Sequence, residues 1–445
     1  MLSFDRLSVV VAGAGVTGAS AARVLRDRGA AVVVLDDKAT ELEDFEIVGS
    51  LPAAVDLVVT SPGFRPTTPA LIEAADRDIE IIGDVELAWR LRSPDAAPWL
   101  AITGTNGKTT TVKMLERMLG AAGHRVVAAG NVGLPLLDAV LAPQPYDVLA
   151  VELSSFQLHW SSTVRPAAAA ILNLADDHTD WHGSFSEYAA AKERIFQADV
   201  AIGNADDPAV RPLLARATTR RVSFTLASPR VDQVGVVEHL LVDRAFPDVP
   251  GEGTELATLE DVPVPGDHNV ANALAAATLA RAYGVPAAAV RDGLLGFEPE
   301  PHRNTVVGVV DGVTWVDDSK ATNPHAAGAS LAAYPSIVWV AGGLLKGADV
   351  DDLVRRAAPR LRAAVLLGTD RAELVQALSR HAPDVPVVEV ARLDTEAMHE
   401  VVAAARSLAQ PGDTVLLAPA AASMDCFRDY KQRGDLFAQA VRALA

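Results

Sequence analysis

"WLAITGTNGKTTT", residues 99–111, opens on apolar residues and closes on Gly-Lys-Thr-Thr, and its reading decides the fold. An apolar, β-branched run followed by a glycine turn predicts a buried strand feeding directly into a helix. Such a turn aims free backbone N–H groups and the positive helix end at one point, which makes an anion site. Gly104 and Gly107 let the main chain approach phosphate oxygens, Lys108 adds a mobile cation, and the Thr109 hydroxyl can ligate Mg²⁺. That chemistry suits a nucleoside triphosphate. The full G-x-x-x-x-G-K-[ST] pattern puts glycine where Ile102 stands, so the loop is a shortened variant. A tight turn carrying a surface lysine is the plainer alternative.

Outward from this stretch, short β-branched runs alternate with Ala/Leu-rich amphipathic segments along all 445 residues, too long a chain for one core. The alternation predicts an α/β fold with helices packed on mostly parallel sheets. Breaks at "LRSPDAAP" (91–98) and "GFEPEPHRN" (296–304) divide the chain into three domains. These are an N-terminal Rossmann-like domain (1–95), a central P-loop ATPase-like domain (96–299) and a C-terminal Rossmann-like domain (300–445). The last has strands expected at "VTWVDDS", "SIVWVAGG", "AAVLLG", "VPVVEV" and "TVLLAPA".

A second glycine turn, Gly13, Gly15 and Gly18, lies between an expected strand and helix, with Asp36 ending the next strand at the distance of a ribose-binding acid. The spacing fits a nicotinamide cofactor, any nucleotide diphosphate, or a purely structural βαβ turn. Two nucleotide sites in different domains suggest that one substrate carries a nucleotide handle while the other supplies energy. Glu152, ending "VLAVE", would lie beside the phosphate loop if its strand neighbours the loop strand. His178, after the apolar run "AAAAILNL", could reach the same strand-end crevice; taken alone it reads as an ordinary hydrogen-bonded histidine.

Lys and Arg number 39 against 57 Asp and Glu, a net charge of −18 that argues against a nucleic-acid or anionic-membrane surface. The single cysteine, Cys426, excludes an internal disulfide framework and any multi-cysteine metal site, which suits a reducing cytoplasm. No apolar run approaches the roughly 18 residues that span a bilayer. The opening "MLSFDRLSVVVAGAG" shows neither a basic leader nor a cleavable apolar segment, so a soluble cytoplasmic protein without membrane insertion is expected.

"GTNGKTT", "GNVGLP", "ELSSFQL", "YAAAKERIF", "PHR", "DDSKATN" and "LLAPAAASMDCF" occur in the order found in the Mur ligases of bacterial cell-wall synthesis, and the chain resembles that family over nearly its whole length. Asn106 in the loop, the N-terminal glycine turn and "ELSSFQL" resemble the D-glutamate-adding branch. The resemblance implies that ATP phosphorylates the L-alanyl carboxylate of UDP-N-acetylmuramoyl-L-alanine. D-glutamate then attacks the acyl phosphate, with two Mg²⁺ ions and a monomeric enzyme.

The same resemblance implies the site residues. Gly104, Thr105, Asn106, Gly107, Lys108, Thr109 and Thr110 would hold ATP; Thr109 and Glu152 would bind one Mg²⁺, and His178 the second. Lys192 matches a lysine that family members carbamylate into an anionic metal ligand, although by itself it reads as a helix-surface lysine. Asn269 and Asn272 match residues near adenine, or else an N-cap and a polar helix face. Arg303, Asp318 and Lys320 would reach ATP after closure, with a surface ion pair between Asp318 and Lys320 as the alternative. Lys108, His178, Lys192 and Lys320 are thereby the expected catalytic set. Val16, Thr17, Asp36, Asp37, Gly63 and Asn131 match the UDP-substrate positions; Thr322, Lys346, Ser423 and Tyr430 match those for D-glutamate.

The chain departs from the family pattern at Lys38, where an arginine is common near UDP, and at Leu344-Leu345 before Lys346, where Asp-Gly is common. Asn304-Thr305 follows the His-Arg pair where an acid is common, and Tyr430 replaces a frequent phenylalanine. Rival readings are another amino-acid-adding Mur ligase or folylpolyglutamate synthetase-like ligase, a nicotinamide oxidoreductase resting on Gly13–Gly18, and a nucleotide-sensing module.

Overall fold

The computed structural model describes residues 4–444 apart from 38, 40, 43, 94 and 300. Lys38 therefore lies outside the described residues, as do single positions in the two expected breaks.

Three sheets carry the chain, each with its strand ends facing loops that hold the residues of interest. The first has five parallel strands among the described residues, in the order Ile47–Val48, Ala31–Leu35, Ser8–Ala12, Leu57–Thr60 and Glu80–Gly83. This is the 3-2-1-4-5 order of a doubly wound, Rossmann-type sheet, with the chain reversing direction across the sheet beside Ser8–Ala12.

The second sheet has nine described strands. Thr254–Thr258, Leu240–Asp243 and Gln233–Val237 form an antiparallel edge, a hairpin system that the expected alternation of strand and helix does not include. The parallel part continues through Arg220–Phe224, Val200–Asn204, Ala168–Ile171, Trp99–Thr103, Val148–Glu152 and Val126–Gly130. Trp99–Thr103 is an interior strand, paired with Ala168–Ile171 and Val148–Glu152 and buried along its length, which is why it reads as continuous apolar sequence without alternation. Truncating Leu100 to alanine here would cost about 2–5 kcal/mol.

One apolar core runs from Val9, Val11 and Leu57 of the first sheet, through Val85, Leu87, Leu136 and Leu137, to Trp99, Leu149 and Ile171 of the second. That continuity places both sheets in a single compact unit, residues 1–262 with 270–297. Polar ties cross the same junction. Ser20 donates to Asp138 (2.6 Å), and the buried Glu86 carboxylate accepts from Ser162 N, Thr163 N and Thr163 Oγ1 at 2.9, 3.0 and 2.6 Å.

The other unit comprises residues 263–269 and 298–445. Its sheet runs Thr305–Val310, Val313–Asp317, Thr414–Leu417, Ile337–Gly342, Leu361–Leu367 and Val387–Glu389, parallel except for the first strand. Along Ile337–Gly342, Trp339 and Ala341 enter the core on one face while Val338 and Val340 enter that on the other. The two-residue period of a strand thus feeds two helix layers. Among the described residues no helix is long and apolar enough to cross a membrane.

Candidate active site

The strand Trp99–Thr103 ends at Gly104, and Gly107 begins the helix Lys108–Ala121 from a left-handed conformation (φ +82°). A Cβ at Gly107 would meet the end of the Asn272 side chain (Oδ1 at 2.3 Å), and the left-handed backbone favours glycine there. The loop is held from below. Asn106 N donates to Asn173 Oδ1 (2.8 Å) and Asn173 Nδ2 donates back to Asn106 O (3.1 Å), while Thr105 Oγ1 and Tyr188 OH share a 2.8 Å hydrogen bond. Lys108 Nζ donates to the carbonyls of Gly104 and Thr105, each at 2.9 Å.

Lys192 is not a surface residue. It is 2% exposed, donates to Thr103 Oγ1 (3.2 Å) and Gly104 O (2.9 Å), and lies 4.8 Å from the Tyr188 ring centroid. Burial pushes its ammonium well below the ordinary lysine range, and the Lys108 charge pushes the same way. Tyr188, one helical turn before Lys192, was available as a signal in "YAAAKERIF"; burial pushes its phenol up.

The expected neighbour relation holds: Glu152 pairs with Ile102 across parallel strands, next to the strand that feeds the loop. Glu152 Oε1 accepts from Asn131 Nδ2 (2.8 Å), bringing together two residues expected in different roles. Glu152 Oε2 is buried and has no hydrogen-bond partner, a vacant acceptor beside Gly104–Thr109 that fits a hard cation. Among the described residues no group of three or more His, Cys, Asp or Glu side chains forms a metal cage, so a cation here would complete its shell with the Thr109 hydroxyl, phosphate oxygens and water. His178 sits in the left-handed region (φ +55°) at the start of Thr179–His182. Its ring packs 4.8 Å from Phe156, and Nδ1 lies 3.6 Å from Asp177 Oδ1.

At the first glycine turn, a Cβ on Gly18 would lie 1.8 Å from Gly13 O, so only glycine lets the helix Val16–Asp27 come this close to its strand. Asp36 is committed to this turn: Oδ2 accepts from Ala14 N (2.8 Å) and Oδ1 from Ala39 N (3.0 Å). Val16 is 76% exposed, Thr17 follows it in the first helical turn, and Asp37 and Gly63 lie in loops beyond the strands Ala31–Leu35 and Leu57–Thr60. Sequence reading missed Asp84, buried at the end of Glu80–Gly83. Its Oδ2 accepts from Gln157 Nε2 (3.3 Å), its Oδ1 has no partner, and burial pushes its pKa up to about 6.

In the unit 298–445, His302 Nδ1 and Asp317 Oδ2 are 2.6 Å apart, and that hydrogen bond raises the His302 pKa. Asp318 is engaged by Ser330 Oγ and Asn304 N rather than lying on the surface, and burial pushes it up to about 7. Lys320 Nζ stands 4.0 Å over the Tyr430 ring. Thr322 N donates to Lys320 O (2.8 Å), folding this loop on itself. An antiparallel bridge joins Leu344 to Ala422, immediately before the Leu345-Lys346 and Ser423 positions, and Lys346 is left-handed (φ +55°). Asn269 Nδ2 donates to Pro265 O (2.9 Å).

Three family models match in order: "Mur ligase MurD-like, N-terminal domain" at residues 7–83, "Mur ligase middle domain" at 102–280 and "Mur ligase, glutamate ligase domain" at 302–421. A UDP-N-acetylmuramoylalanine–D-glutamate ligase of Thermobifida fusca is 59% identical, covering 98% of this chain and 98% of the relative. The like-named protein of Mycobacterium avium is 49% identical over 98% and 96%. Among solved structures, MurF from Acinetobacter baumannii superposes with a TM-score of 0.63 at 18% identity, covering 99% of this chain and 91% of that one. A folylpolyglutamate synthase of Mycobacterium tuberculosis gives 0.55 at 18% identity, over 78% and 91%.

Proposed function

Because the chain belongs to the Mur ligase family, we propose that it joins D-glutamate to UDP-N-acetylmuramoyl-L-alanine, with ATP as the activating substrate, in peptidoglycan precursor synthesis. The observation that carries the choice within the family is the 59% identity, end to end, to a relative of that name. Fold alone does not make it, since MurF and a folylpolyglutamate synthase share the architecture. We assign residues 1–95 to the UDP substrate, 96–299 to ATP and 300–445 to the amino acid, and place the reaction in the cytoplasm with a monomeric enzyme.

A carboxylate is a poor electrophile whose charge repels a nucleophile, so activation comes first. The L-alanyl carboxylate oxygen attacks the γ-phosphorus, the bond to the β–γ bridging oxygen breaks, and ADP leaves. The amine of D-glutamate then attacks the acyl carbon, loses a proton, and expels inorganic phosphate from the tetrahedral intermediate. Lys108 is built to exchange its carbonyl acceptors at Gly104 and Thr105 for phosphate oxygens, beside the N–H groups opening Lys108–Ala121. Glu152, Thr109 and His178 are the groups that would hold Mg²⁺, which when bound neutralises phosphate charge and orients the reacting oxygens. Burial pushes Lys192 toward its neutral form, the form that attacks CO₂, and the resulting carbamate with release of one proton would add an anionic oxygen ligand. Asn272, held against Gly107, and Asn269 retain the adenine-side roles implied by the resemblance, as do Arg303, Asp318 and Lys320 for the ribose and γ-phosphate. Thr322, Lys346, Ser423 and Tyr430 supply hydroxyl and ammonium donors to the two carboxylates of D-glutamate.

The deciding assay is phosphate release with ATP, Mg²⁺ and UDP-N-acetylmuramoyl-L-alanine across a panel of acceptor amino acids. D-glutamate alone is expected to drive release and amide formation, and Lys108→Ala is expected to abolish both while leaving UDP-substrate binding intact. Equal release with L-lysine or glycine would overturn the assignment of the acceptor.

A further inference from the structure

The four residues assigned to D-glutamate come from four separate stretches of the C-terminal unit, and something must fix their mutual geometry. We propose that the buried Arg433 is that positioning residue, a role that rests on the D-glutamate reading above. Arg433 is 0% exposed, inside the helix Tyr430–Arg442. Its Nε donates to Ser319 Oγ (2.9 Å), Nη2 to Ser319 O (2.8 Å), and Nη1 to Ala421 O (3.1 Å) and Gly342 O (3.4 Å). Ser319 Oγ in turn donates to Tyr430 O (2.8 Å). One guanidinium therefore joins the loops that carry Thr322, Lys346 and Ser423 to the helix that begins with Tyr430.

The acceptors are one hydroxyl and three main-chain carbonyls, with no carboxylate among them. Desolvating a cation with no directly bonded anion is an expensive way to fill space, and apolar side chains do that better. An apolar side chain cannot satisfy carbonyls of three loops in fixed directions; a planar fork can. Burial pulls the Arg433 pKa down only to about 10, so the fork stays charged at neutral pH. Lysine has one nitrogen and could serve only part of this set, which makes Arg433→Lys the informative change.

The experiment measures kcat and separate KM values for D-glutamate and for the UDP substrate, together with the thermal midpoint, in the full native chain, Arg433→Lys and Arg433→Ala. Arg433→Lys is expected to raise the KM for D-glutamate roughly tenfold or more while the UDP-substrate KM stays within about twofold. In Arg433→Ala, added guanidinium ion is expected to lower the D-glutamate KM again. A folded Arg433→Lys enzyme with the native D-glutamate KM would overturn the proposal. So would failure of both variants to fold, or loss of kcat that tracks only the fraction folded, since each assigns Arg433 to stability. Absence of D-glutamate-dependent turnover in the native chain would instead overturn the functional reading.

Discussion

Lys108 and Lys192 place their ammonium nitrogens on one acceptor, the carbonyl of Gly104, each at 2.9 Å. Two cations on one oxygen repel, and the buried one is the one driven toward neutrality. Carbamylation would reverse the sign at Lys192 and turn that repulsion into attraction for Lys108.

From this, Lys192→Ala is expected to lower turnover by roughly 100-fold or more, with short added carboxylates restoring part of it and Lys192→Arg showing no such restoration. Mass spectrometry under gentle conditions and assays in CO₂-depleted buffer read the modification directly. Full turnover in Lys192→Ala would remove this residue from the mechanism.

Glu152→Gln keeps the shape and the Asn131 contact but neutralises the vacant oxygen. The Mg²⁺ concentration for half-maximal phosphate release is expected to rise about 10- to 100-fold with an unchanged thermal midpoint. An unaltered Mg²⁺ dependence would place the cation elsewhere.

Asp84 gives a pH prediction unconnected with turnover. Its folded pKa of about 6, raised by burial, exceeds the ordinary aspartate value of 3.8, so its contribution is fully present below 3.8 and is lost as pH rises through 6. Asp84→Asn removes the titration. The variant is expected to gain on the native chain between pH 4 and 7, by at most about 3 kcal/mol, measured as unfolding midpoints across that range. Parallel pH profiles for the two proteins would contradict the burial argument.

Lys346 holds a left-handed conformation, which costs a side-chain-bearing residue about 1–2 kcal/mol. Lys346→Gly relieves that cost and deletes the ammonium. The expected result is an equal or higher thermal midpoint with a D-glutamate KM raised more than tenfold. A D-glutamate KM left at the native value would take Lys346 out of the pocket.

What the residues announce in advance follows the range of the interaction. The strand-turn-helix units at residues 99–121 and 8–27 are local, so spacing alone predicted their geometry, and the position of Glu152 beside the loop strand needed only the pairing that a parallel sheet supplies. Lys192 looked like a surface lysine because its helix, rich in alanine, has little apolar asymmetry to mark an inner face; Tyr188 and the strand end enclose it. Asp84, Asn173 and Arg433 escaped notice since their partners are remote in sequence and their residue types carry no spacing rule. The left-handed backbones at His178 and Lys346 were equally silent, as neither is glycine. The edge hairpins at 233–258 and the first strand of the last sheet, Thr305–Val310, were missed because antiparallel pairing was not part of the expected alternation.

The placement of Arg433 in the helix Tyr430–Arg442 has a bearing on biosynthesis. A ribosome delivers Lys108 and Glu152 long before Arg433 emerges. A nascent chain thus carries the 104–109 loop with its Asn173 and Tyr188 supports well before the brace linking Ser319, Gly342 and Ala421 can form.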